Sequence, residues 1–249
     1  MTLLGSSWGR WLFLGVFLCA WQVAAFALHS DQLPGPLEVI TSLWKHASQG
    51  DLLPSIAATM RRVVLSFALA MVLGVILGFL MGRFQILDTM FDGVLIMGLN
   101  VPALVVIILC YVWFGLVESA AVAAVAINKL PLVAVTVREG VRAVDRQLLQ
   151  VGQVFRVPLV RRLAHIYLPQ LYPYLMTAAR SGLALIWKIV LVVELLGRSD
   201  GVGFQLGTFF QFFDITSLLA YTLAFVLVIY VIESALLRPL EVRLNRWRA

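Results

Sequence analysis

The stretch Val63–Gly82, VVLSFALAMVLGVILGFLMG, decides the fold. It is 20 residues long without a charge, and a helix of that length rises about 30 Å, the thickness of a bilayer's hydrocarbon core. The rest of the chain agrees. Hydrophobic residues make up 61% and charged residues 13% of 249, with a mean hydropathy of +0.96, whereas soluble domains carry about a quarter charged. The chain reads as an all-α integral membrane protein.

Working outward, hydropathy predicts six transmembrane helices: roughly Trp11–Leu28, Val63–Gly82, Gly93–Phe114, Ser119–Val137, Thr177–Gly197 and Ser217–Leu237. Between the first two, Ser30–Leu53 is amphipathic and carries LPGP at Leu33–Pro36, which predicts a loop and an interfacial helix over Leu37–His46. Residues 1–53 thus form an N-terminal span with a periplasmic interfacial segment, and 54–249 a core. Arg10, the apolar run after it and the small residues Ala24–Ala27 imitate a cleaved signal peptide. The further spans favour a retained first helix. Gly74, Gly78 and Gly82 form a small-residue ridge for close helix packing, within a bundle or a dimer. Asn100-Val101-Pro102 breaks the third span, and a mid-membrane break must face protein or a water-filled cavity.

Basic residues set the orientation. With Arg10 inside, Arg83, the six arginines of the long loop (Arg138, Arg142, Arg146, Arg156, Arg161, Arg162) and the tail (Arg238, Arg243, Arg246, Arg248) are also inside. Lys45, Arg61, Arg62 and Arg198 fall outside, where Arg61 and Arg62 are expected to snorkel to the interface. Both termini are then cytoplasmic. Basic residues confined to loops and tail offer no soluble face for nucleic acid. Cys19 and Cys110 lie inside apolar spans and read as free thiols packed as small hydrophobes. His29, His46 and His165 are scattered and show no zinc spacing.

The loop over 138–175 is the longest polar interruption. Within it, Leu148, Leu149, Val151 and Phe155 recur at helical spacing. Pro158 forces a turn, a second short helix covers Leu159–Tyr167, and Pro169 is expected to end it. Amphipathic helices of this kind can simply lie among headgroups. However, Gln150-Val151-Gly152, then Arg156, then Ile166-Tyr167-Leu168-Pro169 keep the spacing of the Glu-Ala-Ala loop of bacterial ABC importer permeases.

From about Leu33 onward the chain resembles the permease (transmembrane) subunit of these importers, in the branch serving nitrate, sulfonate, taurine, bicarbonate and thiamine-precursor uptake. Pro102 with Trp113-Phe114-Gly115, Gly140-Val141-Arg142 with Asp145, and Arg180, Gly182, Trp187, Glu194, Leu196-Gly197 and Gly201-x-Gly203 stand at that branch's spacing. The resemblance implies the type I ABC importer permease fold and a homodimeric channel. It implies two cytoplasmic ATPase subunits on the loops, and a periplasmic or lipid-anchored substrate-binding protein outside. It also implies ATP-driven rocking of the two permeases. ATP and magnesium would be bound by the ATPase, leaving this chain without a cofactor or a metal; indeed it holds no phosphate-binding G-x-x-x-x-G-K-[ST] run. Gln150, Val151, Gly152, Phe155, Arg156, Ile166, Leu168 and Pro169 would couple to the ATPase. Two departures stand out: Gln150 replaces the family's acidic residue, and Arg156 its glycine, so the turn is expected to change. Either the motor is a matched partner or the interface has drifted.

The translocation path is assigned to Asn100, Pro102, Lys129, Trp187, Lys188 and Glu194. Lys129 and Lys188 fall mid-span, where the resemblance supplies no lysine, and a lysine there costs about 2.5–3.5 kcal/mol on insertion scales. Two readings stand: both give the path positive potential for a small anion, or they neutralise Glu194 or Glu233 on neighbouring helices. Arg180 reads as an anchor of helix to loop, and Phe204–Phe213 as an interfacial belt or a contact for the binding protein. A secondary transporter or a channel working alone would show an internal repeat and intramembrane acid pairs, and neither is present. No His/Asp/Glu cluster at a membrane face suggests an enzyme.

Overall fold

Proline and glycine divide the chain into helices joined by short turns. The computed structural model describes residues 7–28, 32–237 and 239; His29, Asp31 and the tail arginines Arg238, Arg243, Arg246 and Arg248 lie outside the described residues. The helices are α1 (Ser7–Leu28), α2 (Pro36–Gln49), α3 (Leu52–Arg83), α4 (Gln85–Asn100), α5 (Ala103–Phe114) and α6 (Glu118–Arg142). After them come α7 (Arg146–Val154), α8 (Leu159–Arg162), a π turn (Leu163–Tyr167), α9 (Leu168–Gly197), α10 (Val202–Gln211), α11 (Ile215–Ile232) and a second π turn (Glu233–Leu237).

Among the described residues, three helices are long and apolar enough to cross a membrane: α3, α6 and α11 with its π extension. The other three expected spans differ from simple rods. α4 and α5 pass only as a pair and are bent by 102° at Val101-Pro102. Val101 is extended, as a residue before proline prefers, and Pro102 accepts from the Val105 and Val106 amides to start α5. At 12 residues α5 rises about 18 Å and does not cross alone. α9 has 30 residues, but Arg180, Lys188 and Glu194 interrupt its apolar run. The apolar part of α1 is Leu12–Leu28; none of it is buried, and Cys19 faces outward while Cys110 is in the core.

α3 is longer than the uncharged stretch predicts. Its 32 residues rise about 48 Å, so the turns bearing Arg61 and Arg62 project past the hydrocarbon. The glycine ridge acts within the protomer, against α6. A Cβ on Gly74 would lie 2.6 Å from Val133 Cβ, and one on Gly82 2.6 Å from Val141 Cβ. One on Gly78 would strike the Ala134 carbonyl oxygen, which is backbone and cannot swing away. Only hydrogen at these positions lets the two backbones approach. α9 closes the core from the other side, with Leu183, Ile186 and Val190 buried alongside Val63, Ala121 and Ala124.

Arg138 and Arg142, read from sequence as loop cations, belong to the last turns of α6 and reach α4. Arg138 Nη1 is 3.2 Å from Asp88 Oδ1 and also pairs with Asp92, and Arg142 pairs with Asp88. This clamp fixes the α4 end of the bent pair to α6.

Candidate functional site

The loop over 138–175 begins on a polar latch. The Asp145 carboxylate accepts from the Gln147 amide (2.7 Å) and starts α7, while the Asp145 amide donates to the Gln170 side chain (2.8 Å) on α9. Gly152 is the one buried residue of α7. A Cβ there would lie 3.0 Å from Ile166 Cδ1 and 3.1 Å from Arg162 Cδ. The two halves of the sequence motif, Gln150-Val151-Gly152 and Ile166-x-Leu168-Pro169, are thus pressed together at Gly152 and Ile166.

Arg156 keeps the turn that was expected to change. Its amide donates to the Gln153 carbonyl and the Val157 amide to that of Gly152, both at 2.9 Å, which closes α7 as a Schellman motif. That closure needs a left-handed residue, and Arg156 supplies it at φ +53°. Glycine adopts this conformation at lower cost, so the substitution leaves the fold of the turn and adds strain.

Pro169 does not end the second helix. α8 continues through the π turn into α9, with the Leu168 amide donating to the Leu163 carbonyl five residues back. Pro169 has no amide to donate, and it follows directly on the π turn, where the ladder has shifted to bonds five residues back. Tyr167, in the π turn, packs its ring against Phe79 at 5.9 Å. Its hydroxyl is buried with no hydrogen-bond partner among the described residues. Burial pushes this phenol up, against a smaller opposing pull from Arg83. Gln150, Val151, Phe155, Arg156 and Leu168 are exposed, Ile166 and Pro169 half-buried. Val151, Val154 (78% exposed), Phe155, Leu159 and Val160 (76%) leave apolar side chains exposed in a segment that also exposes Arg146, Arg156 and Arg161. Apolar exposure of this kind marks an interaction site.

The residues assigned to the path are not brought together in one protomer. Asn100 is exposed and donates to its own helix at the Ile96 carbonyl (2.7 Å); Pro102 is exposed beside it. Trp187 is buried edge-on to Phe225 (6.4 Å between ring centroids). Lys188, the next residue, is turned about 100° away: with Ala184, Leu185, Val192 and Leu195 it lies on the exposed face of α9. Lys129 is buried at 8% exposure. Neither lysine forms an ion pair among the described residues, and the two glutamates considered as partners are held by arginines. Glu233 pairs with Arg180 at 3.4 Å, which ties α9 to the π turn that follows α11.

Glu194 belongs to an outer charge network. Fully buried, it accepts from Arg62 Nη1 (2.7 Å), Thr59 Oγ1 (2.9 Å) and the Gly203 amide (2.8 Å). Arg62 is 1% exposed and does not snorkel. The same Nη1 also donates to the Asp200 carbonyl (2.9 Å), and the other two nitrogens hold Glu118 at 3.0–3.2 Å and the Asp200 carboxylate. Arg61 and Arg198 reach Glu118 from either side, at 3.1 and 3.2 Å. The close approach explains the glycines after α9. Gly201 has φ +105°, and a Cβ on it or on Gly203 would collide with the Glu194 side chain or the Leu191 carbonyl. Sequence reasoning missed this network, although Arg61-Arg62 on the acidic outer side was its signal. Among the described residues no group of His, Cys, Asp and Glu is placed to hold a metal ion.

A family model described as binding-protein-dependent transport system inner membrane component matches residues 70–238, about two-thirds of the chain. The chain belongs to this family. It is the permease subunit of an ABC importer, a multi-pass protein of the inner membrane that works with a separate ATPase and a binding protein. The permease is 28% identical over 244 residues to a protein named as an aliphatic sulfonates transport permease in Bacillus subtilis (strain 168), covering 97% of this chain and 88% of the relative. It is 27% identical to the taurine transport system permease protein of Escherichia coli (strain K12), covering 91% and 84%. With the nitrate import permease protein of Synechococcus elongatus it shares 23%, covering 77% and 72%. In fold it is similar to the crystal structure of an amino acid ABC transporter with histidines, at TM-score 0.59 and 19% identity, over 77% of this chain and 93% of that one.

Proposed function

We propose that two copies of this permease enclose a path for a small anion, a sulfonate foremost, with both termini in the cytoplasm. The observation that carries the reading is the charge on α9. Lys188 lies on an outward-facing helix face, and the carboxylates that would neutralise it or Lys129, Glu194 and Glu233, already hold arginines. In a dimer that joins at this face, two lysines would set a positive potential in a low-dielectric wall. The transport of sulfonates and taurine named for two relatives fits such a path.

Each ATPase docks on the exposed apolar and arginine side chains of α7 and α8 and binds the ATP and magnesium; this chain supplies no group to the hydrolysis. The binding protein delivers substrate at the outer side, near α10. Gln150 replaces an ion-pairing acid with a hydrogen-bonding amide, so the motor is matched to this loop. Full ATPase coupling with the motor of an unrelated sulfonate system would sink that match.

The test is uptake into proteoliposomes holding the permease, its ATPase and its binding protein. ATP-dependent accumulation of taurine or an alkanesulfonate, blocked by excess sulfonate and not by a neutral solute, is expected. Accumulation of a neutral heterocycle instead would overturn the anion reading.

A further inference from the structure

A cavity of about 680 Å³ lies between the end of α1, the turn Leu33–Gly35, the Glu38–His46 part of α2 and the beginning of α11. Its position in the bilayer follows from its walls. α1 ends there and α11 begins there, so the cavity sits where two spans meet one membrane surface. α2 is amphipathic: Leu37, Ile40 and Trp44 are 66%, 54% and 76% exposed on one side. Glu38, Ser42 and Lys45, at three- and four-residue spacing, line the cavity on the other. A helix with this division lies in the interface plane, with its tryptophan at headgroup depth.

We propose that this cavity holds the headgroup of a zwitterionic phospholipid with a primary ammonium, as in phosphatidylethanolamine. Glu38 and Lys45 are two turns apart, about 10 Å along α2, and neither forms an ion pair among the described residues. The Glu38 carboxylate accepts from the Gly35 amide (3.0 Å), which fixes it at the cavity wall. A purely anionic headgroup would meet this carboxylate, and a purely cationic one would meet Lys45. A group carrying both charges satisfies the two ends together. The phosphate end finds further donors in Ser217, 6% exposed, and in His46, whose Nε2 is 3.1 Å from Ser217 Oγ. His46 is held in place between the rings of Phe209 and Tyr221, with centroids at 5.6 and 5.2 Å. Ala25 and Phe26 of α1 supply the apolar wall along which an acyl chain leaves.

Native mass spectrometry of the purified transporter complex, given phosphatidylethanolamine, phosphatidylcholine and phosphatidylglycerol of equal chain length, tests this. Phosphatidylethanolamine is expected to be retained at least threefold over the other two, and Glu38→Gln with Lys45→Gln to remove the preference. Equal retention of phosphatidylglycerol, or a preference unchanged in the double variant, overturns the proposal. Displacement of the lipid by equimolar glycerophosphoethanolamine also overturns it, because the site would then serve a soluble ligand. Should the double variant misfold, phosphatidylethanolamine with a photoreactive group near its headgroup decides on the wild type. Crosslinks to the peptide 36–49 support the site, and crosslinks elsewhere overturn it.

Discussion

Glu194 Oε1 and Arg62 Nη1 lie 2.7 Å apart with both side chains enclosed, at 0% and 1% exposure. Thr59, Gly203, Glu118 and Asp200 satisfy the remaining positions around them. This pair joins the outer end of α3 to that of α9 and draws in the turn that leads to α10.

Removing one partner strands the other. Arg62→Met is expected to cost about 3–5 kcal/mol, the penalty of an uncompensated buried charge. Glu194→Gln keeps an acceptor for its neighbours and should cost about 1–3 kcal/mol. Thermal unfolding of the detergent-solubilised permease reads both, and equal small losses would contradict the network.

Arg156→Gly should stabilise the loop. The left-handed cap is retained and the side-chain strain removed, a gain of about 1 kcal/mol. Hydrogen exchange of the α7 amides is the sensitive readout. Slower exchange in the glycine variant is expected, and unchanged or faster exchange would show that Arg156 carries no strain.

Tyr167→Phe deletes a buried hydroxyl that has no partner among the described residues. The isolated permease is expected to gain about 1 kcal/mol of stability. A loss of that size would mean the hydroxyl is satisfied in solution.

At Gly78 a methyl group meets backbone, not a movable side chain. Gly78→Ala is expected to cost about 1–3 kcal/mol by forcing α3 and α6 apart. Gly182→Ala serves as the control, because its Cβ would find ordinary contact with Val133 at 4.0 Å.

Lys188→Met probes the path. At about 10 Å and an effective dielectric near 20, one charge is worth about 1.7 kcal/mol, so anion uptake should fall on the order of tenfold. Normal sulfonate uptake by this variant would remove Lys188 from the path.

The helices and the contact between the two halves of the loop motif were legible because each rests on local chemistry. Val63–Gly82 has no charge to place elsewhere, and the loop motif has fixed spacing because Gly152 and Ile166 must touch. The outer network was not legible. Arg62, Glu118, Glu194 and Asp200 come from three helices and a turn far apart in the chain, and hydropathy assigns each a membrane depth, never a partner. The bend at Val101-Pro102 was visible as a break. Its angle depends on the packing of α4 against Arg138 and Arg142, which the proline alone cannot reveal. The start of α3 was missed for a related reason: a helix continues past the hydrocarbon wherever its charges find partners.

The π turn Leu163–Tyr167 has a consequence for the docking face proposed on α7 and α8. A π turn is equivalent to one residue inserted into an α-helix, and each helical residue turns the chain by about 100°. Val160 and Arg161 therefore face a direction that uninterrupted α-helix leading into α9 would not give them. Loss of a single residue between Leu163 and Tyr167 would leave the membrane part of α9 in place. It would rotate the surface offered to the motor by more than a quarter turn, leaving a permease that inserts normally and presents the wrong side of its handle.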